Sequence, residues 1–126
     1  MKILVIEDQP IELKLVGRVL EAAGFTVNGI DAAEQAFASI KADRPQLILL
    51  DMGLPGMDGL ALVRLLKADP ETCAIHVVAV TSYPEEFSRV KALEEGCDGY
   101  LLKPISTRTL PQKLSAILGR ETRDEP

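Results

Sequence analysis

The sequence has few of the residues that metal–thiolate sites and disulfide frameworks require. Its 126 residues include one histidine, no tryptophan and two cysteines, Cys73 and Cys97, and neither cysteine lies in a Cys-x-x-Cys pair. Zinc sites need several closely spaced Cys or His ligands, so this composition argues against one. We expect two reduced thiols, as is typical of a cytoplasmic protein.

Basic residues and long apolar runs are also scarce. The chain has 14 Lys and Arg against 19 Asp and Glu, a formal net charge of −5, which argues against binding to nucleic acid or to an anionic membrane. No apolar run approaches the ~20 residues that span a bilayer, and the N-terminus lacks a signal-peptide pattern. Gly-rich phosphate loops are absent, which points away from a nucleotide site. We therefore expect a soluble cytoplasmic protein.

The sequence does contain a regular alternation of short apolar runs and amphipathic segments. Strands are predicted at 3–6, 47–50, 77–80 and 100–102, with a weaker edge strand at 25–30. Helices are predicted at 10–23, 32–42, 59–68, 84–95 and 106–118, the second with a capping box from Asp31 to Glu34. This alternation predicts an α/β fold, a doubly wound parallel sheet with helices on both faces.

Side chains that can carry chemistry directly follow the predicted strands. They are Glu7 and Asp8 after the first strand, Asp51 after the third, Thr81 after the fourth and Lys103 after the fifth. Ligands bind a parallel sheet outside the carboxyl ends of its strands, so we expect these groups to converge there. Clustered carboxylates without thiolate or imidazole select a hard cation, Mg²⁺ first and Mn²⁺ as the alternative. A carboxylate at such a site can accept a phosphoryl group.

Five motifs in this order resemble the receiver domain of two-component response regulators, over residues 2 to about 118. They are the acidic pair Glu7-Asp8, the run D-M-x-L-P-G-M-D-G that begins at Asp51, Thr81, Tyr100, and Lys103-Pro104. The resemblance implies a five-stranded, flavodoxin-like sheet with strand order 2-1-3-4-5. It also implies a signalling protein rather than an enzyme, with at most self-catalysed phosphorylation and dephosphorylation.

The resemblance assigns the acidic residues to a metal and to phosphate. Asp51 would accept the phosphoryl group from a histidine kinase or a histidine phosphotransfer protein. Asp8, Asp51 and the backbone carbonyl of Gly53 would bind Mg²⁺ directly, and Glu7 would act through a metal-bound water. An alternative role for Glu7 and Asp8 is to cap the helix at 10–23.

The same resemblance implies switch roles for three further residues. Lys103 would pair with the phosphoryl group, Thr81 would move to bond it, and Tyr100 would turn inward into the space that Thr81 vacates. A tyrosine in a strand is usually a packing residue, which is the alternative for Tyr100. The Lys103–Pro104 peptide bond is expected to be cis.

Two surfaces are expected to bind partner proteins. The first lies at the start of helix 10–23 and would dock a kinase, with a core or solvated role as the alternative; it comprises Gln9, Ile11, Glu12 and Leu15. The second, carried over from the family, is the output surface; it comprises helix 84–95, strand 99–102 and helix 106–118. We expect a receiver domain at 1–119 with no output domain, a disordered charged tail at 120–126, and a monomer or weak dimer.

Departures from the family pattern leave other functions open. Glu7 stands where Asp is commoner, and Gly53 has no side chain to orient an attacking water. Both favour an alternative in which the chain is an unphosphorylated pseudo-receiver that acts as a scaffold. A phosphatase of the haloacid dehalogenase type is disfavoured, because such enzymes need a second acid at position 53. Tyr83, two residues after Thr81, is placed to shield the site, so the phosphate lifetime stays open.

Overall fold

The computed structural model describes residues 1–56 and 58–123, with side chains through 119. Its elements are β1 (Lys2–Ile6), α1 (Pro10–Ala22), β2 (Thr26–Ile30), a 3₁₀ turn (Ala33–Gln35), α2 (Ala36–Ala42), β3 (Leu47–Asp51), α3 (Gly59–Ala68), β4 (His76–Thr81), α4 (Arg89–Glu94), β5 (Gly99–Leu102) and α5 (Leu110–Arg123). No helix in these ranges is long and apolar enough to cross a membrane.

The five strands form one parallel sheet in the order β2-β1-β3-β4-β5. Near the carboxyl ends, Asp51 pairs with Val80 and Thr81 pairs with Leu102. The expectation of a doubly wound, flavodoxin-like fold with order 2-1-3-4-5 is therefore confirmed. β2 lies at an edge of the sheet, as its partly polar sequence predicted.

The alternation of side chains along each strand divides the core into two layers. In β1, Leu4 and Ile6 lie in the layer that includes residues of α2, α3 and α4. Ile3 and Val5 lie in the opposite layer, which includes residues of α1 and α5. Because successive strand residues point to opposite faces, a strand covered on both sides is apolar throughout. Every residue of β3 is buried, and all are apolar except Asp51 at its carboxyl end.

α4 starts later than the sequence predicted. The helix expected from Pro84 begins at Arg89, so that prediction is wrong, and residues 84–87 form turns and a bend. Ser88 is the N-cap, and its hydroxyl accepts a hydrogen bond from the Lys91 N–H at 3.2 Å. A serine cap satisfies an N–H group that the first turn of a helix leaves free. The side chain of Pro84 has no oxygen that could accept a hydrogen bond and cap a helix.

The limits of α5 also differ from the prediction. The helix begins at Leu110, after a turn at 107–109, and continues through Gly119 to Arg123. Pro111 lies in its first turn, where the missing N–H of proline costs nothing. The backbone of 120–123, which was expected to be disordered, is helical, and residues 124–126 of the expected tail lie outside the described residues.

The glycines predicted to end two helices do so, whereas the capping box predicted to start another helix does not form. Gly24 and Gly96 follow α1 and α4 with positive φ values of 99° and 109°, a conformation that residues with a Cβ avoid. The 3₁₀ turn before α2 has Ala32 as its N-cap, with no side-chain cap. The capping box predicted from Asp31 to Glu34 is therefore wrong.

Candidate functional site

The end of β1 delivers two carboxylates with different surroundings. Glu7 is buried, with 6% of its surface exposed, whereas Asp8 is half-buried. The Glu7 N–H donates to the Ile30 carbonyl at 3.0 Å, which continues the β1–β2 ladder. The Glu7 Oε2 accepts a hydrogen bond from the Gln9 N–H at 3.1 Å.

Gln9 is the N-cap residue of α1, and its side chain makes no capping hydrogen bond. Asp8 accepts no hydrogen bond from the described residues. Capping by Asp8 is therefore wrong.

Asp51 closes β3 and is held from two directions. Only 7% of its surface is exposed, and the Met52 N–H beyond it donates to the Val80 carbonyl at 2.8 Å. The Asp51 Oδ1 accepts from the Gly53 N–H at 2.9 Å, and Oδ2 lies 3.2 Å from the Lys103 Nζ. The orientation of this carboxylate is therefore set by the protein itself.

Lys103 brings an ammonium group into this acidic cluster. Its N–H donates to the Thr81 carbonyl at 2.9 Å, which extends the β4–β5 ladder, and the X–Pro bond after it is cis, as expected. Its Nζ lies 2.8 Å from Glu7 Oε1 and 2.7 Å from Glu12 Oε2. Together with Asp51, three carboxylates contact this one ammonium.

Burial and ion pairing shift the pKa values at the site in opposite directions. Burial raises the pKa of Glu7 from 4.5 to about 7, although the hydrogen bonds from Lys103 and the Gln9 N–H oppose the shift. The hydrogen bond from Lys103 lowers the pKa of the more exposed Glu12. For Lys103, burial favours the neutral amine, but the hydrogen bonds to Glu12 and Glu7 outweigh it and raise the pKa. The pKa of Glu7 thus reflects chiefly its burial, whereas the pKa values of Glu12 and Lys103 reflect the ion pair between them.

The acids at this site are close enough to share a cation. One oxygen each from Glu7, Asp8 and Asp51 lies within 4.8 Å of the others, and it is the one such group of three found in the described part of the chain. Oxygen donors without thiolate or imidazole fit Mg²⁺ or Mn²⁺. The structure thus brings the expected acids together. Ligation by the Gly53 carbonyl stays a prediction.

Thr81 and Tyr83 border the site on the β4 side. Thr81 is fully buried, and its Oγ1 accepts a hydrogen bond from the Tyr83 N–H at 2.8 Å. A Cβ built on Gly53 would lie 3.6 Å from Tyr83 Cε2 and 3.5 Å from Asp51 Oδ1, so the tyrosine ring flanks the Asp51 carboxylate. An open cleft of about 230 Å³ results, lined by Asp8, Gln9, Glu12, Asp51, Gly53, Ser82, Tyr83 and Lys103.

Tyr100 already occupies an inward position. Tyr100 is 8% exposed and lies in the same core layer as Ala92 of α4. Its hydroxyl donates to the Phe87 carbonyl, and the Arg89 guanidinium carbon lies 5.6 Å from the centroid of its ring. The ring of Tyr100 is therefore already turned inward in this structure, and its switch role stays a prediction.

Glu12 is the site residue whose role the sequence analysis missed. It was expected on a docking face, whereas its carboxylate contacts Lys103. No local sequence signal pointed to this contact, because Glu12 and Lys103 are 91 positions apart in the chain. Its neighbours Ile11 and Leu15 are 84% and 51% exposed, so the expected docking face is open to solvent at these positions.

Comparison with known proteins gives matches over nearly the whole chain. The family model described as the response regulator receiver domain matches residues 3–115. The chain is 38% identical over 118 residues to the phosphate regulon transcriptional regulatory protein PhoB of Pseudomonas aeruginosa, covering 94% of this chain and 52% of that protein. It is 32% identical over 117 residues to protein PilH of the same species, covering 93% and 97%. The chain thus spans about half the length of its first curated relatives and nearly all of PilH.

Solved structures give the same picture at the level of the fold. A CheY-like response regulator receiver domain protein from Methanospirillum hungatei superposes with a TM-score of 0.87 at 28% identity, over 98% of both chains. The receiver domain of a signal transduction histidine kinase from Syntrophus aciditrophicus gives 0.85 at 32% identity, over 98% of this chain and 94% of that one.

Proposed function

This chain belongs to the response regulator receiver domain family, whose model matches residues 3–115, and we propose that it is a switch controlled by phosphorylation of Asp51. The observation that carries the proposal is the set of groups around that carboxylate. Lys103 Nζ lies 3.2 Å from Asp51, and oxygens of Glu7 and Asp8 lie within 4.8 Å of an Asp51 oxygen. Phosphoryl transfer needs a positioned nucleophile and neutralisation of charge on the phosphoryl oxygens, and these groups supply both.

Transfer to Asp51 needs little covalent chemistry from the protein. An Asp51 carboxylate oxygen attacks phosphorus, an O–P bond forms, and the P–N bond of a phosphohistidine donor breaks with its electron pair left on the histidine nitrogen. The Gly53 N–H and Lys103 hold the two Asp51 oxygens and so orient the nucleophile. The Lys103 ammonium neutralises negative charge on a phosphoryl oxygen.

The acids fit Mg²⁺, with Mn²⁺ as the alternative. Asp8, Asp51 and the Gly53 carbonyl would hold the ion directly. Both Glu7 oxygens bond elsewhere, to Lys103 and to the Gln9 N–H, so Glu7 would reach the ion through a water. When bound, the ion neutralises charge on the phosphoryl oxygens. Burial raises the pKa of Glu7, and a cation bound nearby would favour its ionised form.

The conformational change on phosphorylation would pass from Thr81 to the segment before α4. The Thr81 oxygen accepts from the Tyr83 N–H, so its own proton remains available for a phosphoryl oxygen. A Thr81 that turns to phosphate weakens its bond to Tyr83, at the start of the segment that carries the Phe87 carbonyl. That carbonyl is the partner of the Tyr100 hydroxyl. Phosphorylation would thereby alter the surroundings of Tyr100 without any outward-to-inward movement of its ring.

Partners follow from this role and from the exposed surface. The donor is a histidine kinase or a histidine phosphotransfer protein that docks near Ile11 and Leu15 at the start of α1. The output surface comprises α4, β5 and α5, where Val90 and Leu93 of α4 and Leu102 of β5 are 64%, 44% and 52% exposed. The protein acts in the cytoplasm as a monomer or weak dimer and binds neither nucleic acid nor membrane. The scaffold alternative is not favoured, because Asp51, Thr81 and Lys103 are all in place.

The test is intact-mass measurement after incubation with acetyl phosphate and Mg²⁺. We expect the gain of one phosphoryl group, with no gain for Asp51→Asn and none without a divalent cation. A gain of one phosphoryl group with Mn²⁺ in place of Mg²⁺ would show that Mn²⁺ also supports phosphorylation. A phosphoryl group on the Asp51→Asn variant would place the acceptor elsewhere, and no gain under any condition would contradict the proposed function and favour the scaffold.

A further inference from the structure

The donors of Lys103 are fully occupied. An ammonium group has three N–H donors, and Lys103 Nζ lies 2.7 Å from Glu12, 2.8 Å from Glu7 and 3.2 Å from Asp51. A phosphoryl oxygen is a fourth acceptor for the same three donors. It bonds fully to Lys103 only when one of the three carboxylates gives way.

The exposure of the three carboxylates indicates which one leaves. The Glu7 side chain is 8% exposed, so separation from Lys103 would leave a buried carboxylate without its cation, which is costly. Asp51 is the acceptor itself and must stay beside the incoming phosphorus. The Glu12 side chain is 48% exposed, so water solvates its carboxylate once it swings away.

We propose that Glu12 is a positioning residue that occupies the phosphoryl oxygen's place on Lys103 and must move away before Asp51 is phosphorylated efficiently. This inference rests on the proposed function. Glu12 acts through Lys103 rather than on the phosphoryl group, and its departure also restores the positive field of Lys103, which the contact at 2.7 Å cancels in part. The lowered pKa of Glu12 agrees with this arrangement, since an ionised Glu12 competes for Lys103 at full charge.

The position of Glu12 on α1 also separates two openings in the surface. Glu12 and Lys103 both line the acidic cleft with Asp51, and both line a neighbouring groove of about 130 Å³ with Leu15 and Ile105. The ion pair between Glu12 and Lys103 therefore lies between the cleft and the groove and lines both. Movement of Glu12 opens the cleft on the side of α1.

The test compares Glu12→Gln with wild type and with a matched control. Glutamine keeps the size of the side chain and removes its charge. The control is Glu21→Gln, which makes the same charge change in the last turn of α1, about 13 Å away, beyond the screening length at physiological salt. Glu21 is exposed and makes no side-chain bond to the described residues.

The measurement is the initial rate of Asp51 phosphorylation by acetyl phosphate with Mg²⁺, followed by intact mass over a range of donor concentrations. We expect Glu12→Gln to raise the maximal rate about two- to fivefold, the ratio that corresponds to a half-exposed ion pair. The half-saturating donor concentration should change less than the maximal rate. Glu21→Gln should match wild type in both.

A second variant separates direct contact from charge alone. Glu12→Asp keeps the charge and shortens the side chain by one methylene, which removes the contact with Lys103, so it should be as fast as Glu12→Gln. An Asp variant as slow as wild type would overturn the inference, as would a Glu12→Gln variant at or below the wild-type rate. If neither wild type nor the variants take up phosphate, the proposed function fails and this inference with it. If wild type is phosphorylated at Asp51 and Glu12→Gln is no faster, only the inference fails.

Discussion

In the metal-free protein, the substitution Glu7→Gln should lower the free energy of unfolding at acidic pH and raise it at alkaline pH. The folded state raises the pKa of Glu7 from 4.5 to about 7, chiefly by burial. A raised carboxyl pKa means that the folded state binds the proton more tightly than the unfolded chain does. The stability from protonated Glu7 is fully present below pH 4.5 and is lost as the pH rises through 7. Glutamine resembles the protonated form at every pH.

The magnitude follows from the size of the shift. At about 1.4 kcal/mol per pKa unit, this shift corresponds to about 3 kcal/mol lost by wild type between pH 4 and pH 8. The amide nitrogen of the substituted side chain cannot accept the Gln9 N–H, whereas an oxygen of protonated Glu7 can. This loss costs the variant about 1–2 kcal/mol at all pH values. We expect Glu7→Gln to be less stable than wild type at pH 4.5 and about 1–2 kcal/mol more stable at pH 8.

The assay is urea unfolding with a chelator present at several pH values from 4.5 to 8. The difference in unfolding free energy between the two proteins isolates Glu7, because the remaining acids titrate in both. The urea m-value should be the same for both proteins. Addition of Mg²⁺ at pH 8 should stabilise wild type more than the variant, since ligand binding stabilises the folded state in proportion to its affinity. Parallel pH profiles for wild type and Glu7→Gln would refute the reasoning.

Three further predictions concern other contacts of the site. Lys103→Met removes the cation shared by three carboxylates, so metal-free stability in urea should fall by about 2–3 kcal/mol, and phosphorylation should be lost. Gly53→Asn has room beside Asp51 Oδ1 and adds a group that orients water, so loss of phosphate after donor removal should accelerate on the order of tenfold. Tyr100→Phe removes the hydrogen bond to the Phe87 carbonyl, so stability in urea should fall by about 1 kcal/mol.

Each of these has a matched control. For Lys103→Met, Lys14→Met on the exposed side of α1 should be nearly neutral, and equal losses would show that the acidic cluster needs no cation. Gly53→Ala fills the same space without a polar group, so a lifetime as short as that of Gly53→Asn would contradict water orientation. Tyr83→Phe alters an exposed ring and should change stability by less than about 0.5 kcal/mol. A Tyr100→Phe variant as stable as wild type would mean that the Phe87 contact contributes nothing.

The parts of the site that the sequence predicted are those fixed by strand direction. Glu7, Asp51 and Lys103 each come at the end of a short apolar run, and parallel strands place their carboxyl ends together. Fold class and convergence therefore followed from local pattern. The strand order required the family resemblance, because apolar runs of similar length do not specify which strands are neighbours.

The parts that the sequence did not predict depend on competition between local groups or on side-chain reach. The helix expected from Pro84 begins instead after Ser88, whose hydroxyl caps it. Glu12 contacts Lys103 across 91 positions of the chain, and no local pattern encodes such a pairing. The hydroxyl of buried Tyr100 likewise bonds to Phe87, which belongs to a bend rather than to the helix expected there.

The ion pair between Glu7 and Lys103 joins residues 96 positions apart. Synthesis therefore completes all the acidic residues of the cluster long before it adds their cation. A nascent chain that ends before β5 contains Asp51 but lacks an edge strand of the sheet and the ammonium of Lys103. Under the proposed function, such a chain would not be phosphorylated efficiently, so phosphoryl acceptance would require the last strand of the sheet.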